Sequence, residues 1–443
     1  MTYPKEEKEI LQFVKEKRIK VVRLWFTDIL GQLKGFAITS DQLEEAFSEG
    51  MGFDGSSIEG FVRIYESDLL AKPDPKTFAL LPWDVEGEPT ARMFCDVYTS
   101  DGKEYEGDPR YVLKRNLRLA EDMGYSYYVG PELEYFYLRA PDSPTILDEG
   151  GYFDVTPVNI GTKLRKRSIF ALEQIGIQVE YSHHEVSFSQ HEIDLKFQDA
   201  LTMADFTMTY RLVVKEIARE EGVYATFMPK PIFGINGSGM HIHQSLFKKG
   251  RNAFYDRSDQ YCLSSAAKHF IAGLLTHAVE ITSITNQWVN SYKRLVVGYE
   301  APVYITWGRM NRSALVRVPN YKPGKEQSTR VEYRAPDPGC NPYLAFACML
   351  RAGLRGIEKE YPLPEPFEED IYAMSEADRR RRAIQSLPDN LYAAIQETER
   401  SDLVKETLGP SLFDKFIANR KREWEEYRIQ VTDYELKRYL PIL

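Results

Sequence analysis

The sequence predicts an α+β fold in two parts, and three observations carry that prediction. The chain has 443 residues, more than one compact core usually accommodates. Its apolar runs read as antiparallel-looking strands with helices between them in irregular alternation, which favours α+β over a doubly wound sheet. The turn at Asp101-Gly102 and the break at Gly107-Asp-Pro109 separate a short strand-rich start from the rest. The expected division is therefore a domain over 1–103 and a larger one over 104–443.

Residues 5–17 place Ile10, Leu11 and Val14 on one side, the mark of an amphipathic helix. An alternating strand over 21–26, the turn Asp28-Ile-Leu-Gly31 and a second strand through Ile38 form a hairpin signature. A helix should begin near Ser40-Asp41 with one of the two as its cap. Further strands are expected over 79–83 and 91–97. In the second part, the patterns predict helices over 109–124, 161–176, 199–222, 263–285 and 341–358. Strands are predicted near 126–138, 179–187, 224–230, 239–247, 301–307, 313–318 and 329–335. The arginines at 379–382 sit beside Glu376 and Asp378 and read as a solvated or subunit-contact helix face. Residues 412–443 read as a helix ending in the apolar run Tyr439-Leu-Pro-Ile-Leu443. A tail that apolar must dock, on its own domain or on a neighbouring subunit.

Composition excludes several classes. Hydrophobic residues are 43% and charged residues 28% of the chain, an ordinary soluble globular balance. A net charge of −9 argues against a nucleic-acid binder relying on overall positive charge. Cys95, Cys262, Cys340 and Cys348 show no CxxC spacing and fit a reducing compartment. The start is too charged for a signal peptide, and no apolar run approaches membrane-span length. These features describe a cytoplasmic enzyme without a nucleic-acid or membrane partner.

The chemistry lies in pairs of polar residues two apart inside strand-like runs: Glu132-x-Glu134, His241-x-His243 and Glu332-x-Arg334. A strand puts residues i and i+2 on one face. Pro131 suits a strand start. Glu185 and Glu192 lie seven apart, which would split them across a continuous strand, so a turn through Ser187-Phe-Ser189 must bring them together. His183 and His184 read as packing or support for that segment. Carboxylates at this density repel unless cations neutralise them, and hard divalent ions suit oxygen ligands. The glycines of Asn236-Gly-Ser-Gly239 let backbone approach a ligand closely on the way to His241. Arg294, Arg312, Arg317, Arg330 and Arg334 supply forks that match carboxylate and phosphate. Metal-binding carboxylates beside clustered arginines are the constituents of a phosphoryl-transfer site. Walker-type GxxxxGK[ST], strand-linked GxGxxG, GxSxG and HExxH motifs are all missing, so a nucleotide would not be held by a P-loop.

Taken together these motifs resemble the type I glutamine synthetases. The resemblance spans nearly the whole chain. It includes Phe53-Asp-Gly-Ser-Ser-Ile-Glu-Gly-Phe61, Gly-Pro-Glu-Leu-Glu134, His-His-Glu-Val186, Asn-Gly-Ser-Gly-Met-His241, Asn-Ser-Tyr-Lys-Arg294, Gly-Tyr-Glu-Ala-Pro302 and Asn-Pro-Tyr-Leu-Ala345. It implies a small β-grasp N-terminal domain, a larger catalytic domain with a curved antiparallel sheet flanked by helices, and a homo-oligomer, a dodecamer of two hexameric rings. Active sites would lie between subunits, with Asp54 supplied by the neighbour. By the same resemblance Glu134, Glu185 and Glu192 hold a first Mg2+ or Mn2+ ion, and Glu132, His241 and Glu332 a second. Asn236, Gly237, Arg294, Glu300, Arg312 and Arg334 face glutamate. Phe197, His243, Ser245, Arg312, Arg317 and Arg330 surround ATP. Asp54, Glu300 and Arg312 are the implied catalytic residues, with Glu300 on a closing flap. Gly60-Phe-Val-Arg63 resembles the α subclass, in which the arginine is tied to glutamine feedback. The implied reaction is ATP-dependent ligation of ammonia to the γ-carboxylate of glutamate through γ-glutamyl phosphate.

Some positions depart from the family pattern. Asn286-Gln-Trp-Val289 replaces Asn-Pro-x-Val, Ser187-Phe-Ser189 stands where Ala-Pro-Gly or Ala-Pro-Ser is common, Val297 replaces a proline, and Tyr321-Lys-Pro-Gly-Lys325 is an uncommon loop. The Gln-Trp pair and that loop look more like γ-glutamyl–polyamine ligases, an alternative acceptor. A catalytically silent relative is the other alternative, against which every implied ligand is present.

Overall fold

In the computed structural model residues 2–60, 68–83, 88–155, 160–320 and 323–443 are described. Phe61 and Arg63, in the loop motif above, and Tyr321 lie outside the described residues.

Among the described residues the chain builds a six-stranded and an eleven-stranded sheet. The first contains β1 (Val21–Thr27), β2 (Leu33–Thr39), β3 (Met51–Asp54), β4 (Asp68–Pro73), β5 (Ala79–Leu80) and β6 (Thr90–Thr99), in the order β2-β1-β6-β4-β3 with β5 beside β6. The predicted hairpin is present: β1 and β2 pair antiparallel from Val21↔Thr39 to Thr27↔Leu33. β1 and β6 pair parallel. Helix α1 (Glu7–Glu16) buries Ile10 and Val14 as its pattern requires. The cap expected at Ser40 or Asp41 does not form. Those residues make a 3-10 turn, and the helix proper, α2 (Leu43–Ser48), starts without a side-chain cap.

The larger sheet is organised by β7 (Ser126–Ala140), whose two edges pass from partner to partner. One edge pairs first with β13 (Met240–Lys248) and then β12 (Tyr224–Thr226). The other pairs in turn with β11 (Gln198–Asp199), β10 (Gln190–Leu195) and β8 (Ser143–Ile146). β9 (Val179–His184) extends the sheet beyond β10, and β14 (Arg251–Asn252) pairs with the end of β13. Past β13 come β17 (Val331–Tyr333), β16 (Ala314–Arg317) and β15 (Tyr304–Gly308). The pairing is antiparallel except between β15 and β16, which run parallel. Pro131 does not start a strand; it lies inside β7. It falls in the gap where that edge is handed from β11, which stops at Val129, to β10, which begins at Glu132.

The helices are α3 (Pro109–Asp122), α4 (Ile160–Ile175), α5 (Ala200–Glu220), α6 (Ser265–Thr276), α7 (Ala278–Thr285), α8 (Ser291–Arg294), α9 (Pro342–Glu358), α10 (Glu376–Arg381), α11 (Leu391–Arg400), α12 (Asp402–Leu408), α13 (Pro410–Arg428) and α14 (Asp433–Tyr439). The helix expected over 263–285 is two helices. His277 leaves helical geometry (φ −97°, ψ 9°), and its Nδ1 lies 2.8 Å from Glu280 Oε1. The core lies between the sheet and α5 and α9; Tyr135, Tyr210 and Phe227 pack there with ring centroids 5.4 to 6.3 Å apart. Packing Leu133 and Tyr135 on that face leaves Glu132 and Glu134 on the opposite one.

Two buried polar stitches join the sheets. Arg110, at the start of α3, bonds Asp96 and Asp74 of the first sheet region and Asp205 of α5. Gln287 donates to Leu30 O (2.7 Å) in the hairpin turn, and Asn341, the cap of α9, donates to Asp28 O and Ile29 O. Gly31 (φ 75°) permits this approach, since a Cβ there would lie 2.7 Å from Asn341 Cα. The apolar chain end does not dock on its own domain. Leu440, Ile442 and Leu443 are 76%, 73% and 98% exposed.

Candidate active site

The polar face of the large sheet opens into a cavity of about 620 Å3. β7 contributes Glu132 and Glu134, and the β9–β10 hairpin contributes His183, Glu185 and Glu192. The turn inferred between Glu185 and Glu192 is real. β9 and β10 pair as a hairpin with His183 opposite Glu192, and Glu192 faces Glu134 across the β7 pairing. His241 enters from β13, opposite Glu132. Asn236, Gly237 and Arg294 line another wall, with Glu300, Arg312, Arg317 and Arg334 completing the mouth.

Among the described residues three groups of donor atoms stand within 4.8 Å of one another: His183, Glu185 and Glu192; Glu132, His243 and Glu332; and, behind the hairpin, Asp148, His184 and His191. His183 Nε2 is 3.3 Å from Glu192 Oε1, and His241 Nδ1 is 3.4 Å from Glu132 Oε2. Burial and the neighbouring Glu134 charge push Glu185 up to about 9. Burial and the Asp194 and Glu132 charges likewise raise Glu192 well above the carboxylate range. Burial lowers His183, which favours its neutral, metal-ready form. Carboxyls that burial and mutual repulsion discourage from ionising fit a hard divalent cation, which would supply the missing countercharge. Glu132 and Glu332 differ. Burial acts to raise both, yet the His243 charge holds Glu132 low, and Arg334 holds Glu332 down to about 2.

A pH consequence follows. Below a pH of about 9 Glu185 carries a proton that a cation must displace. Mn2+ binding to the metal-free protein near neutral pH should release protons, and its affinity should fall as pH drops. Calorimetric titration in two buffers of different ionisation enthalpy measures this; identical heats in both would contradict it.

Glu332 is fully buried beneath the cavity, where Arg334 Nη1 donates to it at 2.6 Å and Arg317 Nε also bonds it. Arg294 is buried and donates three of its five N–H groups to backbone, at Ala335 O, Pro336 O and Arg334 O. Its orientation is thereby fixed. Gly239 is required beside it, because a Cβ there would lie 2.6 Å from Arg294 Nη2. Glu300 sits in left-handed backbone (φ 57°) and accepts a 3.0 Å bond from Asn236 Nδ2. A second cavity of about 520 Å3 takes Phe197, His243, Ser245 and Arg330, and it shares Glu132 and Tyr181 with the first. Asp54 lines neither cavity; it is exposed at the end of β3, where its side chain accepts from Ser56.

The sequence reading missed several residues. Gln190 is buried and donates to Glu134 Oε2 (2.9 Å) and Gly237 O (3.1 Å), tying the hairpin to the glycine loop. Asp194 is buried on the second cavity, where burial and the Glu132 charge push it up to about 7. Both share a strand face with Glu192, so the alternation Gln190-His-Glu-Ile-Asp194 carried the signal. Phe153 stacks on His183 at 4.4 Å.

The Gln-Trp departure has a structural explanation. Gln287 is fully buried, bonded to Leu30 O and accepting from Arg420 through its carbonyl. Trp288 Nε1 donates to Gly339 O. Neither lines the first cavity; Gln287 ties to the hairpin turn and Trp288 to the segment at Gly339, so the pair gives no ground for a different acceptor.

The family profile described as "Glutamine synthetase, catalytic domain" matches residues 106–439, and "Glutamine synthetase, beta-Grasp domain" matches 18–100. Glutamine synthetase of Mycolicibacterium smegmatis is 51% identical over 444 aligned residues, covering 99% of this chain and 100% of that one. That of Methanosarcina mazei is 51% identical over 441, covering 99% and 98%. Among solved structures, "Apo GmaS without ligand" aligns at TM-score 0.88 and 30% identity, covering 97% of this chain and 99% of that one. "CryoEM Plasmodium falciparum glutamine synthetase" aligns at TM-score 0.88 and 25% identity, covering 99% of each. The first sheet is thus a β-grasp domain and the second the core of the catalytic domain. Fold, clustered carboxylates and full-length similarity agree: the chain belongs to the type I glutamine synthetase family.

Proposed function

We propose that this chain ligates ammonia to the γ-carboxylate of L-glutamate at the expense of ATP, giving L-glutamine, ADP and phosphate. The observation that carries the reading is one cavity in which Glu132, Glu134, Glu185, Glu192 and His241 face Arg294, Arg312, Arg317 and Arg334. Two anions must meet in this reaction, and only such a wall of ligands and guanidinium groups lets them.

We assign Glu134, Glu185 and Glu192 to one divalent cation and Glu132, His241 and Glu332 to another, with Mg2+ and Mn2+ both suited to the donors. Such ions, when bound, would neutralise charge on the phosphates and the carboxylate. The adjoining cavity with Phe197, His243, Ser245 and Arg330 would receive ATP, its triphosphate leading past Glu132 towards Arg312 and Arg317. Arg294, fixed by its backbone bonds, would hold the α-carboxylate of glutamate, with Asn236 and Gly237 alongside and Arg334 nearer the γ-carboxyl. The γ-carboxylate attacks the γ-phosphate, and the acyl phosphate formed has a leaving group that a carboxylate lacks. Arg312 steadies the transferring group. Asp54 of a neighbouring copy takes up ammonium, and Glu300 closes the mouth against water while a proton is lost.

The wider assembly belongs to the same proposal. The chain divides at 103/104, works in the cytoplasm and forms a homo-oligomer, a dodecamer of two rings. The exposed apolar end and the outward-facing Asp54 support the assembly. The described residues contain no helix long and apolar enough to cross a membrane. Phosphate release from ATP with glutamate, with ammonium or with a polyamine, tests the reaction. Ammonium-dependent release with glutamine formed is expected; release with a polyamine alone overturns it. We also assign the chain to the α subclass with glutamine feedback through Arg63. Arg63→Ala should then raise the glutamine concentration needed for half-inhibition, and equal inhibition of both proteins would refute the assignment.

A further inference from the structure

The face of the β9–β10 hairpin turned away from the cavity carries a closed polar network. His184 and His191 are completely buried and pair across the hairpin, with ring centroids 4.6 Å apart. Each precedes a glutamate of the site, Glu185 and Glu192. Asp148 reaches both rings. Its Oδ1 is 2.6 Å from His184 Nε2, and its Oδ2 is 3.2 Å from His191 Nε2. The far nitrogens are held as well. His184 Nδ1 donates to Glu185 O at 2.7 Å, and Arg165 of α4 donates to His191 Nδ1 at 2.6 Å. Because arginine only donates, His191 Nδ1 accepts and Nε2 presents the proton to Asp148.

Asp148 is itself fixed. Ser189, in left-handed backbone (φ 60°), accepts at Oγ from Leu147 N (2.6 Å) and Asp148 N (3.0 Å) and lies 3.1 Å from Asp148 O as donor. Asp148, Arg165, His184, Ser189 and His191 thus tie together the loop, the hairpin and α4. Asp148 lines neither of the two cavities described above.

We propose that Asp148 is a positioning residue, a brace behind the hairpin that sets the aim of Glu185 and Glu192 and so the affinity for the cation they hold. The proposal rests on reading those glutamates as cation ligands. The cluster is not itself an ion site: the 2.6 Å separation is that of a hydrogen bond, and the Arg165 guanidinium beside His191 would repel a cation. Partners bonded directly to a ligand typically change metal affinity by about 10–100-fold when removed, and Asp148 acts one residue further out.

The test is Mn2+ binding to the metal-free full-length protein, followed by calorimetry and by electron paramagnetic resonance of free Mn2+, for wild type, Asp148→Ala and Asp148→Asn. Thermal unfolding without metal is recorded for all three. Asp148→Ala should weaken one class of Mn2+ site by about 10-fold, the lower end of that range, and leave the other unchanged. It should raise the Mn2+ concentration for half-maximal activity more than it lowers kcat at saturating Mn2+. Asp148→Asn, which can accept from His191 and can donate to His184 once that ring gives up its Nε2 proton, should restore part of the affinity. Unchanged affinity in Asp148→Ala would overturn the proposal, as would equal weakening of both classes in step with lost thermal stability. A further equivalent of Mn2+ or Zn2+ held by wild type and lost in Asp148→Ala would make the cluster a ligand set, which also overturns it. Wild type that binds no Mn2+ would overturn the ligand reading beneath it, so the two failures are distinguishable.

Discussion

Glu192→Ala should abolish nearly all glutamine formation, a fall of about 10³-fold or more at fixed Mg2+. Glu192 is buried on β10, 3.3 Å from His183 and in register with Glu134. Asp194, the next carboxylate on that strand face, lines the second cavity and not this one. Losing one anchored cation removes several kcal/mol of charge stabilisation, and each 1.36 kcal/mol is tenfold in rate. The stability readout should move the other way. Glu192 is a carboxyl that burial and neighbouring charges hold away from its ionised form. Alanine removes that cost, so the metal-free variant should unfold at or above the wild-type temperature. The stabilisation that Mn2+ confers on wild type should shrink sharply, because only binding to the folded state stabilises it. A variant that keeps both activity and Mn2+ stabilisation would remove Glu192 from the site.

Arg110→Met should cost about 3–5 kcal/mol of folding stability, the usual penalty for stripping one partner from a buried ion cluster. The Arg110 side chain is 3% exposed, and Asp205 beside it is 5% exposed. Lys114 would still serve Asp96 at 2.8 Å, and Tyr343 would still donate to Asp205 at 2.6 Å. Asp74 and Asp205 would lose their direct ion pair and keep only the charges of Lys5 and Arg92 nearby. Burial already raises Asp205 against the pull of Arg110. Without the arginine its folded pKa must rise further, so the folded variant binds the proton more strongly than the unfolded chain does. The deficit should therefore grow as pH rises and shrink as pH falls towards the ordinary aspartate range. Urea unfolding across that range measures both; a pH-independent loss would place the effect in packing alone.

The sequence announced the long helices and the polar pairs more clearly than the strand that matters most. α3, α5 and α9 matched because each carries a cap and an uninterrupted apolar stripe, with Asp108, Asp199 and Asn341 capping. β10 was missed because its alternation Gln190-His-Glu-Ile-Asp is polar on both sides, though every residue is buried. A strand that lines a charged site on one face and a histidine network on the other has no hydrophobic period to read. β3 and β4 were missed for a different reason: they are short strands in a sheet whose pairings join distant segments. Pro131 misled because its tolerance depends on where two partner strands meet, which is a tertiary fact. At the site, the ligand pairs were legible from their spacing. The commitments of Arg294 and Glu332 to neighbouring groups were not, since both depend on segments brought together by the sheet.

Glu132 stands on the wall between the two cavities and borders both. Occupants of the two chambers therefore share one charged neighbour, and neither can be held without altering the field felt by the other. Thermodynamic reciprocity then binds them together: whatever factor the nucleotide adds to the hold on the amino acid, the amino acid must return to the nucleotide.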